Sequence, residues 1–328
     1  MIVTVTPNPS IDRTLDVPAV RRGEVIRVRS ASSEAGGKGI NVARALAEMG
    51  IETLAVAPAS SATRARLGVL LGGRVALRTV PIDGEIRVNL SLVEPDGTVT
   101  KVNEPGPTMG EREAETFLDA VVGVIISTLE HGGGEGDDSG AAGGRADDWV
   151  VGCGSLPPGM PDAFYARLAA RLPTGTRVAV DADREALRAV LGTPIELIKP
   201  NRAELEEVVG RPLPTLGDVL DAAADLLLGG PKRVLVSLGP DGALVVDRTG
   251  ACHAEAPISD VANTVGAGDA LLAGFLAGGA TLAALQTAVA WSVAACRSPG
   301  TRMPPVRPRD EDAVILRPTI ERARLLAP

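Results

Sequence analysis

Aromatic side chains are nearly missing from this chain. Of its 328 residues only 2% are Phe, Trp or Tyr, while 45% are hydrophobic. Ala, Val and Leu must therefore fill the core. Cysteine is scarce too. Cys153, Cys252 and Cys296 lie far apart with no C-x-x-C pair, which excludes a zinc ribbon and fits a reducing compartment. Positive charge is in deficit: 33 Lys and Arg stand against 41 Asp and Glu, a net charge of −8. That balance argues against a general nucleic-acid or anionic-membrane surface, and leaves room for a local basic pocket. No G-x-G-x-x-G stands at a strand-helix junction, so a dinucleotide site is unsupported. The opening "MIVTVTPNPS" has no basic region and no signal-like apolar core, so a cytoplasmic location is expected.

One long run lacks charge altogether, residues 270–296. Gly278-Gly279 splits it, and Thr281, Gln286, Thr287 and Ser292 dot it. Two buried helices are expected there rather than one membrane span.

What is present alternates. "MIVTVTP", "ETLAVAP", "DDWVVGCG", "TRVAVDAD", "IELIKPN" and "KRVLVSLG" are short apolar runs that read as strands. Helix-like or turn segments separate them, such as "GINVARALAEMG" with Gly50 as its stop. This recurrence predicts an α/β fold with a largely parallel sheet covered by helices on both faces. Two stretches break the rhythm, about 13–33 and 85–102. Both alternate polar with apolar residues, and the second carries a Pro-Asp-Gly turn. They read as a small β flap, with plain surface hairpins as the alternative. Residues 131–148, rich in Gly, Ala and Asp, are expected to be a mobile surface loop. The end of the chain is Pro- and Arg-rich and is then expected to be weakly helical.

Five further stretches hold candidate chemistry. "NTVGAGDALLAGF" puts Gly266, Ala267 and Gly268 at a helix start, where backbone N–H groups suit an anion, and follows them with Asp269. A tight turn with Asp269 on the helix dipole is the plainer account. The positive helix end is expected to keep that carboxylate ionised. "EAGGKGINVARAL" surrounds Lys38 with glycines, yet Gly39 follows the Lys, so the G-x-x-x-x-G-K-[ST] pattern fails. Its Asn41 falls in a first helical turn, within reach of a hydroxyl. "IKPNRAELEEVVG" carries Asn201 and Glu204, which suit a capping box as well as a hydrated metal. "TPNPSIDRT" places Asp12 after the first strand, as a surface turn or a sugar-hydroxyl acceptor. "GCGSLPPGMP" exposes Ser155 in a rigid loop.

Taken in order, "TPNPSIDRT", "GGKGINVARAL", "GSLPPG", "IKPNRAEL", "VSLGPDGALV" and "NTVGAGDALLAGF" resemble the ribokinase-like sugar kinases of the phosphofructokinase B branch. The resemblance runs from residue 1 to about 302. Its first two motifs are similar to those of members acting on phosphorylated ketohexoses. It implies a single ribokinase-like domain over 1–328, a three-layer α/β/α body with a mostly parallel central sheet and a small β-sheet lid. It also implies ATP-dependent phosphorylation of a sugar hydroxyl with Mg²⁺. Asp269 then matches the general base, and Gly266, Ala267 and Gly268 the anion hole. Asp12, Gly37 and Asn41 match positions holding sugar hydroxyls. Lys199, Asn201 and Glu204 match the region of the ATP phosphates and metal, with Glu204 and Asn201 acting on the ion through water. Ser237 and Gly239 match the nucleotide-side strand end, and Gly300 the wall near adenine. For the sugar's own phosphate the candidates are Arg27 and Arg87, beside Ser155 and Lys38, because guanidinium forks suit phosphate. The implied substrate is D-fructose 1-phosphate, with tagatose 6-phosphate and fructose 6-phosphate as alternatives. The other class is a non-catalytic binder of sugar phosphates or nucleotides. Asn263 stands where many relatives lacking a sugar phosphate carry Asp, which favours a phosphorylated substrate and puts a monovalent-cation role in doubt. An open-edged flap also invites pairing into a homodimer.

Overall fold

In the computed structural model, which describes residues 1–131, 148–298, 300 and 302–327, the apolar runs become the strands of one large sheet. The chain begins β1 (Ile2–Val5), β2 (Ser10–Asp16), β3 (Ser30–Gly36), α1 (Lys38–Glu48), β4 (Thr53–Ala59), α2 (Ser61–Leu71) and β5 (Ala76–Pro81). It continues β6 (Arg87–Val93), β7 (Val99–Asn103), α3 (Glu111–His131), β8 (Trp149–Cys153), α4 (Phe164–Arg171), β9 (Arg177–Asp181) and α5 (Arg184–Val190). There follow β10 (Leu197–Ile198), α6 (Arg202–Val209), α7 (Leu216–Leu228), β11 (Arg233–Ser237), β12 (Ala243–Asp247) and β13 (Gly250–Glu255). Last come α8 (Ala267–Ala277), α9 (Leu285–Cys296), α10 (Pro308–Asp312) and β14 (Ile315–Arg317).

The large sheet has the order β14-β13-β12-β11-β10-β9-β8-β1-β4-β5. From β5 to β11 every pairing is parallel; β12, β13 and β14 close the far edge antiparallel. Strand period 2 distributes side chains to two faces. Val3, Val5 and Val150 join a core with Phe117 and Val121 of α3, Phe164 of α4 and Val219 of α7. Ile2, Trp149 and Val151 join another with Val42 and Leu46 of α1, Leu272 of α8 and Trp291 of α9. All six aromatic residues are buried. Phe117 stacks on Phe164 at 5.8 Å, and Phe164 meets Tyr165 edge-on at 5.6 Å.

The uncharged run 270–296 is divided between α8 and α9, with the glycine pair between them. A Cβ on Gly274 would stand 2.9 Å from the Ala288 Cα, so the two helix backbones touch there. No described helix is long and apolar enough to cross a membrane.

A second sheet, β3-β2-β6-β7, stands apart from the first. It is mixed: β2 runs parallel to β6, and the other two pairings are antiparallel. The strands sit differently from the expected stretches, because residues 17–29 form no strand and β3 runs on to Gly36. Ile11, Ala35 and Ile86 root this sheet on Ile40 and Ala43 of α1 and Leu67 of α2. Of the expected loop at 131–148, residues 132–147 lie outside the described residues. The expected weak helix near the end is corrected. Prolines at 304, 305, 308 and 318 withhold backbone donors. The segment instead makes the five-residue α10 and the edge strand β14.

Candidate active site

After β1 the chain crosses outward to β4 and β5, and after β8 it builds the other half through β9, β10 and β11. The strand order therefore reverses between β1 and β8. Ligands of open parallel sheets bind outside the carboxyl ends at such a point. Those ends carry Thr6, Asn8, Ser155, Asp181 and Lys199.

The helices α1, α6 and α8 start here. Gly37 is the N-cap of α1 with φ 114, and a Cβ on it would stand 2.8 Å from the Thr6 methyl and 3.2 Å from the Pro9 Cα. Only Gly allows that approach, and it brings Lys38 and Asn41 over the strand ends. Gly266, φ 84, is the N-cap of α8, and no side chain among the described residues caps that helix. Its first turn holds Ala267, Gly268 and Asp269, with the Ala267 N–H donating to the Thr264 carbonyl at 3.3 Å. Val265 N–H donates to the Asn263 Oδ1 at 3.0 Å, and Asn263 Nδ2 donates to the Gly300 carbonyl at 3.5 Å. Asn263 thus fixes the glycine turn and ties it to Gly300.

Asp269 is 8% exposed, and its Oδ2 accepts a hydrogen bond from Asn41 Nδ2 at 2.8 Å. Burial, and then the nearby Asp181 carboxylate, push its pKa up to about 7, against the pull of Asn41, Lys38 and Lys199. The expectation that the helix end keeps it firmly ionised is thereby corrected: desolvation outweighs the dipole.

Asp181, at the end of β9, is 1% exposed. Its Oδ1 pairs with Lys38 Nζ at 2.9 Å and its Oδ2 with Lys199 Nζ at 3.0 Å. Burial works against its charge, but the two lysines prevail and hold its pKa low. Lys38 also lies 3.6 Å from Glu204 Oε1. Burial opposes the Lys38 charge too, yet Asp181 and Glu204 keep its pKa above the usual lysine value. A Cβ on Gly268 would stand 3.6 Å from Lys199 Nζ, which places that cation beside the glycine turn.

Asn201 and Glu204 form the capping box of α6. Glu204 N–H donates to Asn201 Oδ1 and Asn201 N–H to Glu204 Oε2, both at 2.8 Å. Asn201 also bridges to Ser237 at the end of β11. Gly239 opens the turn Gly239–Asp241 beyond it. Among the described residues no cluster of three metal-ligating side chains exists. This donor set fits a magnesium ion carried by nucleotide phosphates and water rather than an all-protein cage.

On the small sheet, Asp12 Oδ1 accepts from Ser10 Oγ at 2.7 Å and Asn89 Nδ2 at 2.9 Å. Any side chain on Gly36 would collide with Asp12 Oδ2. Arg87 opens β6, half-buried, and its Nε is buried without a partner among the described residues. Burial, partly offset by Asp12 and Asp183, lowers its pKa. Ser155 is half-buried in the loop after β8, where the Tyr165 hydroxyl holds the Gly154 carbonyl at 2.8 Å. Arg27 stands exposed in the loop between β2 and β3, and its side chain has no ion pair or hydrogen bond among the described residues.

The sequence matches the profile of the pfkB family carbohydrate kinases over residues 5–129 and 145–306. The chain belongs to that family. Its similarity to the 1-phosphofructokinase of Rhodobacter capsulatus is 36% identity over 313 residues, covering 93% of each chain. The solved phosphofructokinase-2 of Escherichia coli, in complex with potassium, superposes with a TM-score of 0.82 at 33% identity, covering 95% of this chain and 96% of that one. An Arabidopsis thaliana ribokinase complexed with ribose and ATP shares the fold, with a TM-score of 0.68 at 21% identity over 92% of this chain and 95% of that one. The protein is a sugar kinase with a ribokinase-like fold, which sets aside the non-catalytic class.

This pfkB kinase also holds polar groups that the motif reading passed over. Asp181 and Asp183 belong to "TRVAVDAD", and a carboxylate ending a buried parallel strand was the available signal. Asn89 was hidden in the alternation of β6. Asn8 is buried and donates from Nδ2 to the Pro105 carbonyl at 3.0 Å.

Proposed function

We propose that this kinase transfers the γ-phosphoryl group of ATP to the free primary hydroxyl of D-fructose 1-phosphate, giving fructose 1,6-bisphosphate. The observation that carries the reading is Asp269: a buried carboxylate with a pKa near neutrality, beside an uncapped glycine turn and oriented by Asn41. A base is most effective when its pKa lies close to the working pH.

In this mechanism Asp269 accepts the hydroxyl proton as the sugar oxygen bonds to the γ-phosphorus. The bond from that phosphorus to the β–γ bridging oxygen breaks, and ADP leaves. Amides of Gly266, Ala267 and Gly268, with Lys199 next to them, receive the charge of the moving group. Asp12, Gly37 and Asn41 hold the sugar hydroxyls. Arg87 takes the sugar's phosphate, supported by Ser155, Lys38 and, from its loop, Arg27. Ser237, Gly239 and Gly300 line the nucleotide. Mg²⁺, bound with ATP and reached by Glu204 and Asn201 through water, would neutralise phosphate charge.

Support for a phosphorylated ketohexose comes from the curated relative named 1-phosphofructokinase and from the half-buried, unpaired Arg87. A homodimer through the small sheet is part of the reading. All of β7 is exposed, as are Val25, Val28, Val99 and Val102.

A coupled ADP-release assay across fructose 1-phosphate, fructose 6-phosphate, tagatose 6-phosphate, fructose and ribose tests it. The highest kcat/KM is expected with fructose 1-phosphate. Preference for an unphosphorylated sugar overturns the substrate and the role of Arg87.

A further inference from the structure

Asp241 ends the turn that Gly239 begins, and it is 9% exposed. A carboxylate that deep needs partners. They come from far along the chain. Arg324 Nη2 donates to its Oδ1 at 3.0 Å, and the Ala327 N–H donates to its Oδ2 at 2.7 Å. The Asp241 carbonyl lies 2.7 Å from His253 Nε2. Arg324 holds Glu255 as well, Nη1 to Oε2 at 2.6 Å.

The same short segment reaches a second place. Arg202 Nη1 donates to the Ala327 carbonyl at 2.7 Å, and Arg202 is the first residue of α6, next to Asn201. Between these anchors Leu326 donates to the Pro214 carbonyl at 3.0 Å and buries its side chain in the core that includes Leu213, Leu216 and Leu238. Four consecutive residues, 324–327, therefore join the turn after β11 to the start of α6.

We infer that segment 324–327 is a positioning element for ATP, with Arg324 its principal residue. The inference rests on the reading that Gly239 and Asn201 face the nucleotide. Neither Arg324 nor Ala327 touches a reacting group. Their effect is to fix two nucleotide-side loops at one separation, so that ATP meets them already placed. Three part-buried hydrogen bonds set that separation more firmly than the single bridge from Asn201 to Ser237 does.

The test is Arg324→Gln in the full chain, which breaks the ion pairs and leaves Leu326 in its core. Binding of a non-hydrolysable ATP analogue is measured without sugar, alongside both KM values and urea unfolding. Analogue Kd and the KM for ATP are expected to rise roughly five- to thirtyfold, as for members of one coupled network. The KM for sugar phosphate is expected to stay within about twofold, and Arg324→Lys, which keeps one partner, to fall between. An unchanged Kd overturns the inference, and so does an equal rise in both KM values. Gly239→Asn separates the two layers. Asn tolerates the left-handed φ of 60 found there, and apart from the chain neighbours no heavy atom lies within 4 Å of the added Cβ. If it weakens ATP while Arg324→Gln does not, the positioning role alone fails. If neither weakens ATP, the nucleotide-side reading fails with it.

Discussion

Asn41 Nδ2 donates to Asp269 Oδ2 at 2.8 Å, joining the first turns of α1 and α8. The bond fixes one carboxylate oxygen and, in the proposed mechanism, leaves the other for the sugar hydroxyl. The proposed base is thereby both aimed and tuned, because the amide favours the ionised form while burial opposes it.

Asp269→Asn is expected to lower kcat by roughly 10²–10⁴-fold, the usual contribution of a general base. ATP-analogue binding should be nearly unaffected. Turnover close to wild type would remove Asp269 from the mechanism.

The pH profile follows from the sign of the shift. Asp269 must be ionised to accept a proton, so kcat/KM should rise through an acid limb near pH 7. Asn41→Ala removes a group that lowers the pKa, so the limb should move to higher pH. A limb that stays in place speaks against Asp269 as the titrating group, whatever the overall loss of rate.

The same shift carries a cost in stability. The folded state holds the Asp269 proton up to about pH 7, whereas an ordinary aspartate loses it near 3.8. Between those values the folded chain binds more protons, so stability falls as pH rises through that window and the full penalty stands above it. The penalty is on the order of a few kcal/mol. Asp269→Asn should therefore melt higher than wild type at about pH 8, with the gap shrinking toward about pH 4. Equal melting temperatures at the higher pH would contradict this.

Asp181→Asn leaves Lys38 and Lys199 sharing a site without their carboxylate. Breaking such a buried ion pair should cost about 3–5 kcal/mol in urea unfolding. A loss under about 1 kcal/mol would mean that the lysines find other partners.

Arg87→Ala should raise the KM for sugar phosphate by about 10–100-fold, in line with loss of charged hydrogen bonds, and leave the KM for ATP alone. Arg27→Ala should have an effect of only a few-fold, since an exposed charge is screened. If Arg27 proves the stronger, the phosphate sits toward the β2–β3 loop instead.

The sheet was legible because buried parallel strands print as apolar runs, and "MIVTVTP" or "KRVLVSLG" allow little else. Fragments of the site were legible where a glycine opens a helix, as at Gly37 and Gly266. The Asp181 partnership was not, since no local pattern states that Lys38 and Lys199 meet across 161 residues of chain. The pKa of Asp269 was misread for a related reason: a helix start is visible in sequence, while the depth of burial around it depends on α1, which arrives from elsewhere. The final segment was misread because its partners, Asp241 and Arg202, lie far back in the chain.

Gly36 ends β3, and Lys38 begins α1, with Gly37 alone between them. The small sheet and the helix that carries Asn41 are thus consecutive links. A displacement of that sheet would reach Asn41 within five residues. In the proposed reaction, substrate entry beside the sheet and alignment of the proposed base would then share this junction. Inserting even one residue beside Gly37 would desynchronise them, while the same insertion in the β6–β7 turn would not.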